Sequence, residues 1–502
     1  MRRPATLVLL ALGAAACRDV PPVRITGDSA AAGINVDPQT IPGRVALELW
    51  TLRPGITLGE WASANLNDVV APTDSQRITE YLGDWCAVST RVSESAGRRV
   101  FRQAFFYAPD PPEGLTLPDS GSAEVIRDCV LGLIWVRIPV RDSANGALLA
   151  DSIRVQLASV YAPDSSGVSF WGSAFWSHLG RFRKDGVEVA SALRGPSPLV
   201  TRGDSAAPAH DVAAWATLPV SGVRLGPEQA PGDGPFRPPD TLSLDSAARI
   251  AGLDSALGAS LLSIVTDAES GVGRGAWRPP PGDSLVRPLR RWVAAAAGLA
   301  PARRAAALYL ADQVLDRTQC AFQLCQPGDS TALAPLRALG AAFTYSELGG
   351  SWAYARSWLG LARSLERDSP LGQRILLQQM AGAFDFSGTC REGAEGFRRV
   401  IENGDRYLAR VPRSPITGAV HFYVAEAQRD IVALAEGAAD IYADSSAYGP
   451  ERAAARERAL AHYRAAIAAD PSAGVAAAAW RRAWWLLAGL RVRGTRFYCI
   501  YD

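Results

Sequence analysis

One serine stands in a sequence that could make it a nucleophile. Ser284 lies in the Gly-Asp-Ser-Leu sequence of residues 282–285, which resembles the nucleophile motif of a hydrolase family; the resemblance would imply a buried strand before the serine and a histidine that follows an aspartate by three residues. The three prolines at 279–281 exclude a central strand there. Neither later histidine, His421 or His462, has an aspartate at that spacing. We therefore predict no catalytic residues and a protein that is not an enzyme.

The other residues with metal-binding or cofactor-binding chemistry are scattered. The chain contains no P-loop, no HExxH sequence and no EF-hand loop. Glu402 and Asp405 share a helix face with arginines, so solvated ion pairs are expected there. The histidines are far apart in the sequence, at His178, His210, His421 and His462. The sequence thus predicts neither a metal site nor a cofactor.

The balance of charge excludes one class of partner. The formal net charge is +2, from 52 Lys and Arg against 50 Asp and Glu, whereas a nucleic-acid-binding domain needs a concentrated basic face. We therefore expect no nucleic-acid partner.

Residues 1–16 have the pattern of a secretory signal peptide. Two arginines precede a short apolar segment at 7–12, which is too short to span a bilayer, and small residues lead to Cys17. This end resembles the lipobox of bacterial lipoproteins, with Ala14 in place of the usual leucine. The resemblance implies cleavage before Cys17 and lipidation of that cysteine. Arg18, in place of aspartate, favours the outer membrane, with the protein facing the periplasm.

The remaining cysteines form an even set, as expected of an oxidising compartment. Connectivity is open among fifteen pairings, and buried free thiols are the alternative. Pairing Cys86 with Cys129 would staple the N-terminal domain. The other candidate disulfide cysteines are Cys320 with Cys325, closing a short loop, and Cys390 with Cys499, tying back the C-terminus.

Three segments of different composition follow the signal-peptide-like residues. Residues 17–44 are rich in Pro, Gly, Asp and Ala and read as a tether, 45–200 as a β-rich domain, and 201–245 as a Pro/Gly-rich linker. Apolar and alternating runs bounded by turn residues predict strands at 45–52, 99–107, 130–140, 153–161 and 187–192. Residues 183–186 are expected to form a hairpin turn.

Residues 246–502 show helical periodicity, which completes an α+β multidomain chain. Ten helices separated by short breaks suggest antiparallel pairs stacked as a solenoid. They are expected at 247–269, 284–298, 302–317, 333–348, 352–367, 371–384, 392–410, 418–443, 451–469 and 475–490.

The segment 459–471 resembles the second helix of a tetratricopeptide repeat (TPR), with small, aromatic, small and proline residues at the family's offsets. The resemblance implies a TPR-like domain that holds a partner protein or peptide; a generic α-helical array is the alternative. The residues assigned to TPR-like packing are Ala459, Tyr463, Ala466, Pro471, Trp480 and Trp484.

Residues 49–63 resemble the opening of a LysM peptidoglycan-binding module, although Ile56 replaces the usual aspartate. Exposed tryptophans could stack on sugars, and core packing is the alternative. The candidates for such stacking are Trp50, Trp61, Trp171 and Trp176.

Taken together, the sequence predicts a lipid-anchored cell-envelope protein that acts as a non-catalytic protein-interaction scaffold or assembly factor. Its expected partners are an unidentified envelope protein or peptide and, through the lipid anchor, the membrane. The alternative function is a glycan- or peptidoglycan-binding envelope lipoprotein.

Overall fold

The chain forms two compact units in a computed structural model. The sheet unit comprises residues 1–110 and 121–230, and the helical unit comprises 111–120 and 231–502. The residues that the structure describes are 36–65, 69–71, 85–95, 97–118, 122–164, 176–194, 210–220, 243–272, 282–322, 324, 333–346, 350–384, 393–437, 445–470 and 474–490.

The sheet unit combines short helices with one long antiparallel sheet. Its helices are α1 (Ile41–Trp50), α2 (Leu58–Ala64), α3 (Ser122–Val125) with a 3-10 turn at Ile126–Asp128, and α4 (Ser143–Ala158). Its strands are β1 (Val69–Ala71), β2 (Trp85–Ser95), β3 (Arg98–Tyr107), β4 (Val130–Val140), β5 (Ala162–Pro163), β6 (Trp176–Lys184), β7 (Val187–Arg194) and β8 (His210–Thr217).

The eight strands lie in the order β1-β2-β3-β4-β8-β7-β6-β5, and every neighbouring pair is antiparallel. Strands β1 to β4 form one meander and β5 to β8 a second, each preceded by helix. The two meanders join where β4 pairs with β8, with Trp135 opposite Trp215. The sheet is thus two similar four-stranded halves joined edge to edge.

Side chains alternate between the two faces of the sheet. One face carries Phe106 and Val136 and is covered by α1 and α4, which pack against each other. Tyr161 follows α4 and donates a hydrogen bond from its hydroxyl to the Leu49 carbonyl of α1. The opposite face carries a buried aromatic cluster, with Trp85, Phe105, Trp135 and Trp215 on four neighbouring strands. Both faces are therefore buried.

The helical unit contains the remaining elements. The helices are α5 (Leu244–Ala251), α6 (Ser255–Val272), α7 (Asp283–Ala296), α8 (Pro301–Thr318), α9 (Ala334–Arg337), α10 (Ser357–Leu365), α11 (Pro370–Gly382), α12 (Glu395–Arg410), α13 (Thr417–Ala435), a 3-10 helix at Ser445–Glu451, α14 (Arg452–Ala469) and α15 (Gly474–Leu487). A hairpin of β9 (Phe343–Ser346) and β10 (Ser351–Tyr354) precedes α10.

Helix α13 is the centre of the C-terminal part of this unit. It is buried from Gly418 to Leu434 except at the half-buried His421, with α12, α14 and α15 packed around it. Small residues allow this close approach: a Cβ on Gly404 of α12 would lie 2.3 Å from Cγ2 of Val424. Within the described residues, no helix is long and apolar enough to cross a membrane.

The coarse fold prediction is confirmed: an antiparallel sheet dominates the N-terminal half and helices the C-terminal half. The strands at 99–107, 130–140 and 187–192 and the hairpin turn at 183–186 were also predicted correctly. Asp185 and Gly186 of that turn have φ of 49° and 80°. Glycine adopts such positive values without steric cost, and they are typical of hairpin turns.

Two predicted strands are helices. Residues 45–52 lie mostly in α1, where the Thr40 hydroxyl accepts a hydrogen bond from Gly43 N and a proline occupies the first turn. Residues 153–161 lie mostly in α4, whose N-cap is Asp142. Each apolar run was too short for its period to separate helix from strand, and the caps decide for helix.

Three other predictions were wrong in part. The expected linker at 201–245 contains β8, the strand that joins the two meanders, because its alternate residues fill both buried faces. The helix expected at 333–348 is the short α9 followed by β9, and the first residues of 352–367 belong to β10. Phe343, Tyr345, Trp352 and Tyr354 supply the aromatic side chains typical of strands.

Candidate functional site

A cavity of about 470 Å³ opens in the sheet unit between α1, α2 and strands β2 to β4. This volume is within the range of small-molecule sites. Ten of its sixteen lining residues are polar or charged, including three arginines, two glutamates and one asparagine, and one tryptophan is among the others. The lining residues are Arg44, Glu48, Thr51, Leu52, Ile56, Trp61, Ala64, Asn65, Ser89, Arg91, Ser93, Glu94, Arg102, Gln103, Ala104 and Ile134.

The wall formed by α2 is fixed by a capping box. Thr57 Oγ1 accepts a hydrogen bond from Glu60 N at 3.1 Å, and the Glu60 carboxylate accepts one from Thr57 N at 3.1 Å. Trp61, one turn later, donates from Nε1 to Ser89 Oγ at 3.0 Å and packs edge-on against Phe106. The indole N–H is thus engaged with the sheet, and ring surface faces the cavity.

The floor of the cavity carries an ion pair between helix and sheet. Arg102 Nε of β3 donates to Glu48 Oε2 of α1 at 2.6 Å, and Arg102 Nη1 donates to Ser93 Oγ of β2 at 2.7 Å. Glu48 is only 9% exposed. Arg91 lies opposite Arg102 in the β2–β3 register and is exposed. Of the three arginines in the lining, Arg102 is therefore held by an ion pair, and Arg91 is exposed.

A disulfide positions the same region. Cys86 in β2 and Cys129, just before β4, are bonded with an S–S distance of 2.04 Å. The Cys129 carbonyl accepts from Leu58 N at 2.7 Å, and Ile56 O accepts from Leu131 N at 2.8 Å. The disulfide-bonded end of β4 therefore holds the segment that leads into α2 and Trp61.

This disulfide confirms one of the predicted pairings. Cys320 is also disulfide-bonded, to a partner outside the described residues. The other four cysteines and the predicted signal peptide also lie outside them: these are residues 1–16, the predicted lipidation site Cys17, Cys325, Cys390 and Cys499.

The residues assigned to TPR-like packing are buried where the structure describes them. Ala459, Tyr463 and Ala466 on α14 have no exposed surface and face α13, and Trp480 and Trp484 of α15 are also buried. Pro471 lies outside the described residues. These contacts establish close helix packing, not the repeating geometry of a solenoid.

Of the four predicted tryptophan platforms, the structure describes the side chains of Trp50 and Trp61, which have different surroundings. Trp61 lines the cavity. Trp50 is half-buried at the end of α1, with Lys184 Nζ 4.6 Å from its ring centre. Trp171 and the side chain of Trp176 lie outside the description. Ser284 lies in the first turn of α7, after the N-cap residue Gly282.

Buried charges in the helical unit are paired. Arg356, before α10, donates from Nη2 to Asp312 Oδ2 of α8 at 2.6 Å, and Asp312 Oδ1 accepts from Leu359 N at 3.2 Å. Burial raises the pKa of the Asp312 carboxyl, and the Arg356 guanidinium opposes that shift. Similarly, Tyr463 donates its hydroxyl hydrogen to Glu426 Oε1 at 2.5 Å. These groups bind the helices to one another.

One contact contradicts the expectation of scattered histidines. His421 of α13 and His462 of α14 approach with their Nδ1 atoms 3.0 Å apart. Sequence distance misled here because antiparallel helices bring residues 41 positions apart side by side. The cavity residues Glu48, Arg91 and Arg102 were also missed. The available signal was the polar alternation Ser89, Arg91 and Ser93 in β2.

Comparison of the chain with protein-family models, with curated proteins and with solved structures found no match.

Proposed function

We propose that the protein is a lipid-anchored binding protein of the bacterial cell envelope whose sheet unit binds a saccharide, such as a fragment of peptidoglycan. The observation that carries the proposal is the cavity beside Trp61. A saccharide combines hydroxyl groups with apolar C–H faces, and the lining offers partners for both. Arg91, Asn65 and Glu94 provide hydrogen-bonding groups, while the indole of Trp61 provides a flat apolar surface.

The size and charge of the cavity narrow the ligand class. A volume of about 470 Å³ admits a ligand of one or two sugar rings rather than a folded protein segment. Arg44, Arg91 and Arg102 outnumber Glu48 and Glu94 by one positive charge. The cavity therefore favours a saccharide that carries a carboxylate or an equivalent anionic group, which arginine binds through paired hydrogen bonds.

Binding to isolated sacculi, and calorimetric titration with the disaccharide fragments that muramidase releases from them, tests this proposal. We expect Arg91→Ala and Trp61→Leu each to weaken binding at least tenfold. Arg99→Ala is the matched control, because Arg99 is an exposed arginine on the neighbouring strand β3 outside the lining. Absence of binding by the wild-type chain, or equal binding by Arg91→Ala, would overturn the proposal.

The envelope location rests on the lipobox-like end at Cys17 and has its own test. We expect metabolic labelling with a palmitate analogue to mark the wild-type chain and not a Cys17→Ala variant. The labelled protein is expected in the outer-membrane fraction. Labelling that persists in Cys17→Ala would remove the lipid-anchor assignment without touching the cavity.

A second function, scaffolding of a protein partner by the helical unit, is favoured by an aromatic patch on the β9–β10 hairpin. Tyr345 is 43% exposed and packs on Trp352 with ring centres 5.1 Å apart, and the Arg337 guanidinium lies 4.7 Å from the Trp352 ring. Exposed aromatics beside an arginine are typical of interface centres.

A photocrosslinking amino acid at position 345, with one at Arg399 as control, tests this in cells. We expect one discrete protein adduct from position 345 that Trp352→Ser abolishes. Arg399 lies on the exposed face of α12 and should give none. Equal adducts from both positions would reject the patch.

A further inference from the structure

Two histidines on adjacent helices face each other in the helical unit. His421 lies on α13 and His462 on α14, with Nδ1 atoms 3.0 Å apart, ring centres 5.1 Å apart and ring planes inclined by 51°. Both side chains are half-buried. One Nδ1–H therefore donates a hydrogen bond to the other Nδ1, with the roles set by the tautomers, and both nitrogens face one small volume between the helices.

A carboxylate lies behind one of the imidazoles. Asp405 Oδ1 of α12 is 3.8 Å from Nε2 of His462, the nitrogen that points away from His421. A carboxylate at this position favours a proton on Nε2 and leaves the Nδ1 lone pair directed at His421. Histidine metal ligands usually donate their second N–H to a carboxylate or carbonyl, and Asp405 would have to approach by about 1 Å to accept such a hydrogen bond.

Burial disfavours the protonated form of both rings. Burial lowers the pKa of His421 to about 4, with a further contribution from His462. Burial also lowers the pKa of His462; Asp405 opposes that shift and Arg458 adds to it. Neutral imidazole is the form that coordinates metal ions, so neither ring must lose its second proton for a cation to bind.

We propose that His421 and His462 bind a divalent transition-metal ion of the zinc class through their Nδ1 atoms. Imidazole nitrogens suit Zn²⁺, Cu²⁺ and Ni²⁺. Two nitrogens at about 2.0–2.1 Å from Zn²⁺ in a tetrahedral site lie roughly 3.4 Å apart, so the rings need to open by only a few tenths of an ångström.

The donor set also defines the character of the site. Within the described part of the chain, no group of three or more His, Cys, Asp or Glu side chains is arranged to hold a metal ion. Two coordination positions are thus filled by the chain, and the others are left to water or an exogenous ligand. The site belongs to an exchangeable ion rather than to a structural one, and Asp405 acts as a positioning residue.

Equilibrium dialysis of the full chain, produced without a histidine tag and stripped with EDTA, against ZnCl₂ at pH 7.5 tests the proposal. We expect one Zn²⁺ per wild-type chain and at least tenfold weaker binding in His421→Gln and in His462→Gln. His178→Gln is the matched control: His178 has its own carboxylate neighbour, Asp151 at 3.2 Å, but is not part of the pair. Uptake retained by both pair variants, or absent from the wild type, would overturn the proposal.

Two further measurements separate a ligand role from a packing role. With Cu²⁺ as the probe, electron paramagnetic resonance should show coupling to two imidazole nitrogens in the wild type and to fewer in either variant. Asp405→Asn should weaken Zn²⁺ binding about tenfold. Glu402→Gln on the same exposed face of α12 should not. Equal effects of these two substitutions would reject the role of Asp405.

Discussion

In the sheet unit, the Glu48 carboxylate meets the Arg102 guanidinium on the wall of a cavity, whereas in the helical unit Asp312 meets Arg356 against packed helices. Both pairs have a nitrogen–oxygen distance of 2.6 Å. They differ in what lies beside them: empty space large enough for a ligand in one case, and helix backbone in the other. The surroundings of a close ion pair thus decide whether it can also contact a ligand.

This contrast predicts its largest effect at Arg356. Arg356→Met leaves the fully buried Asp312 carboxylate without its cation, and breaking a buried pair in this way costs about 3–5 kcal/mol. Urea unfolding, with hydrogen-exchange mass spectrometry to locate the loss, should show it in the helical unit. Arg399→Met is the control, because its partner Glu395 is 68% exposed, and should change stability by less than about 0.5 kcal/mol. Equal effects from the two substitutions would contradict the structural role of the Asp312 pair.

The second-largest change in stability is expected in the sheet unit. The Cys86–Cys129 disulfide closes a loop of 43 residues, and its removal by Cys86→Ala/Cys129→Ala should cost about 2–4 kcal/mol. Hydrogen exchange should accelerate in α2 and β4, because the Cys129 carbonyl accepts a hydrogen bond from the Leu58 amide. Peptides from α13 serve as the internal control. Acceleration confined to α13 would show that the disulfide does not stabilise α2 and β4.

Acid should act on the helical unit through its histidine pair. The pKa of His421 is lowered from 6.5 to about 4 and that of His462 is also lowered, so the folded chain takes up these protons at lower pH than the unfolded chain. Their stabilising contribution is complete above about pH 6.5 and is lost as the pH falls toward 4, by about 2 kcal/mol. Asp405 faces His462, and Arg458 lies one turn before it on α14.

Stability measured in EDTA from pH 7.5 to 4 isolates this contribution. His421→Gln should flatten the profile relative to the wild type, while His178→Gln should leave it unchanged. Identical profiles for the wild type and His421→Gln would show that the pair does not titrate as the burial of its rings requires.

Sequence reasoning succeeded where neighbouring residues decide the structure. The Asp185-Gly186 turn depends on local chemistry and was predicted. The strand predicted at 45–52 was wrong because an eight-residue apolar run fits a strand or a helix, and the cap at Thr40 lies just outside the run. β8 was missed because Pro- and Gly-rich residues surround it.

The candidate sites were harder to predict than the fold because they are assembled from distant segments. Glu48, Trp61 and Arg102 come from α1, α2 and β3, and only the β2–β3 register and the Cys86–Cys129 bond bring them to one cavity. The pairing of those cysteines was among the sequence predictions, but its consequence for the position of Trp61 was not. His421 and His462 meet only once α13 and α14 are packed.

The smallest effect gives the finest test of the comparison between the two ion pairs. Arg102→Met makes the same arginine-to-methionine change as Arg356→Met, but at a residue of the cavity lining. The Glu48 carboxylate left behind can be hydrated from the cavity, so the cost should be about 1 kcal/mol rather than the larger cost at Asp312. Urea unfolding of both variants measures the difference. Saccharide binding should fall in Arg102→Met and stay unchanged in Arg356→Met, since only the first side chain lines the cavity. A loss at Arg102 as large as that at Arg356 would mean that water does not enter the cavity, and a space closed to water could not admit a sugar.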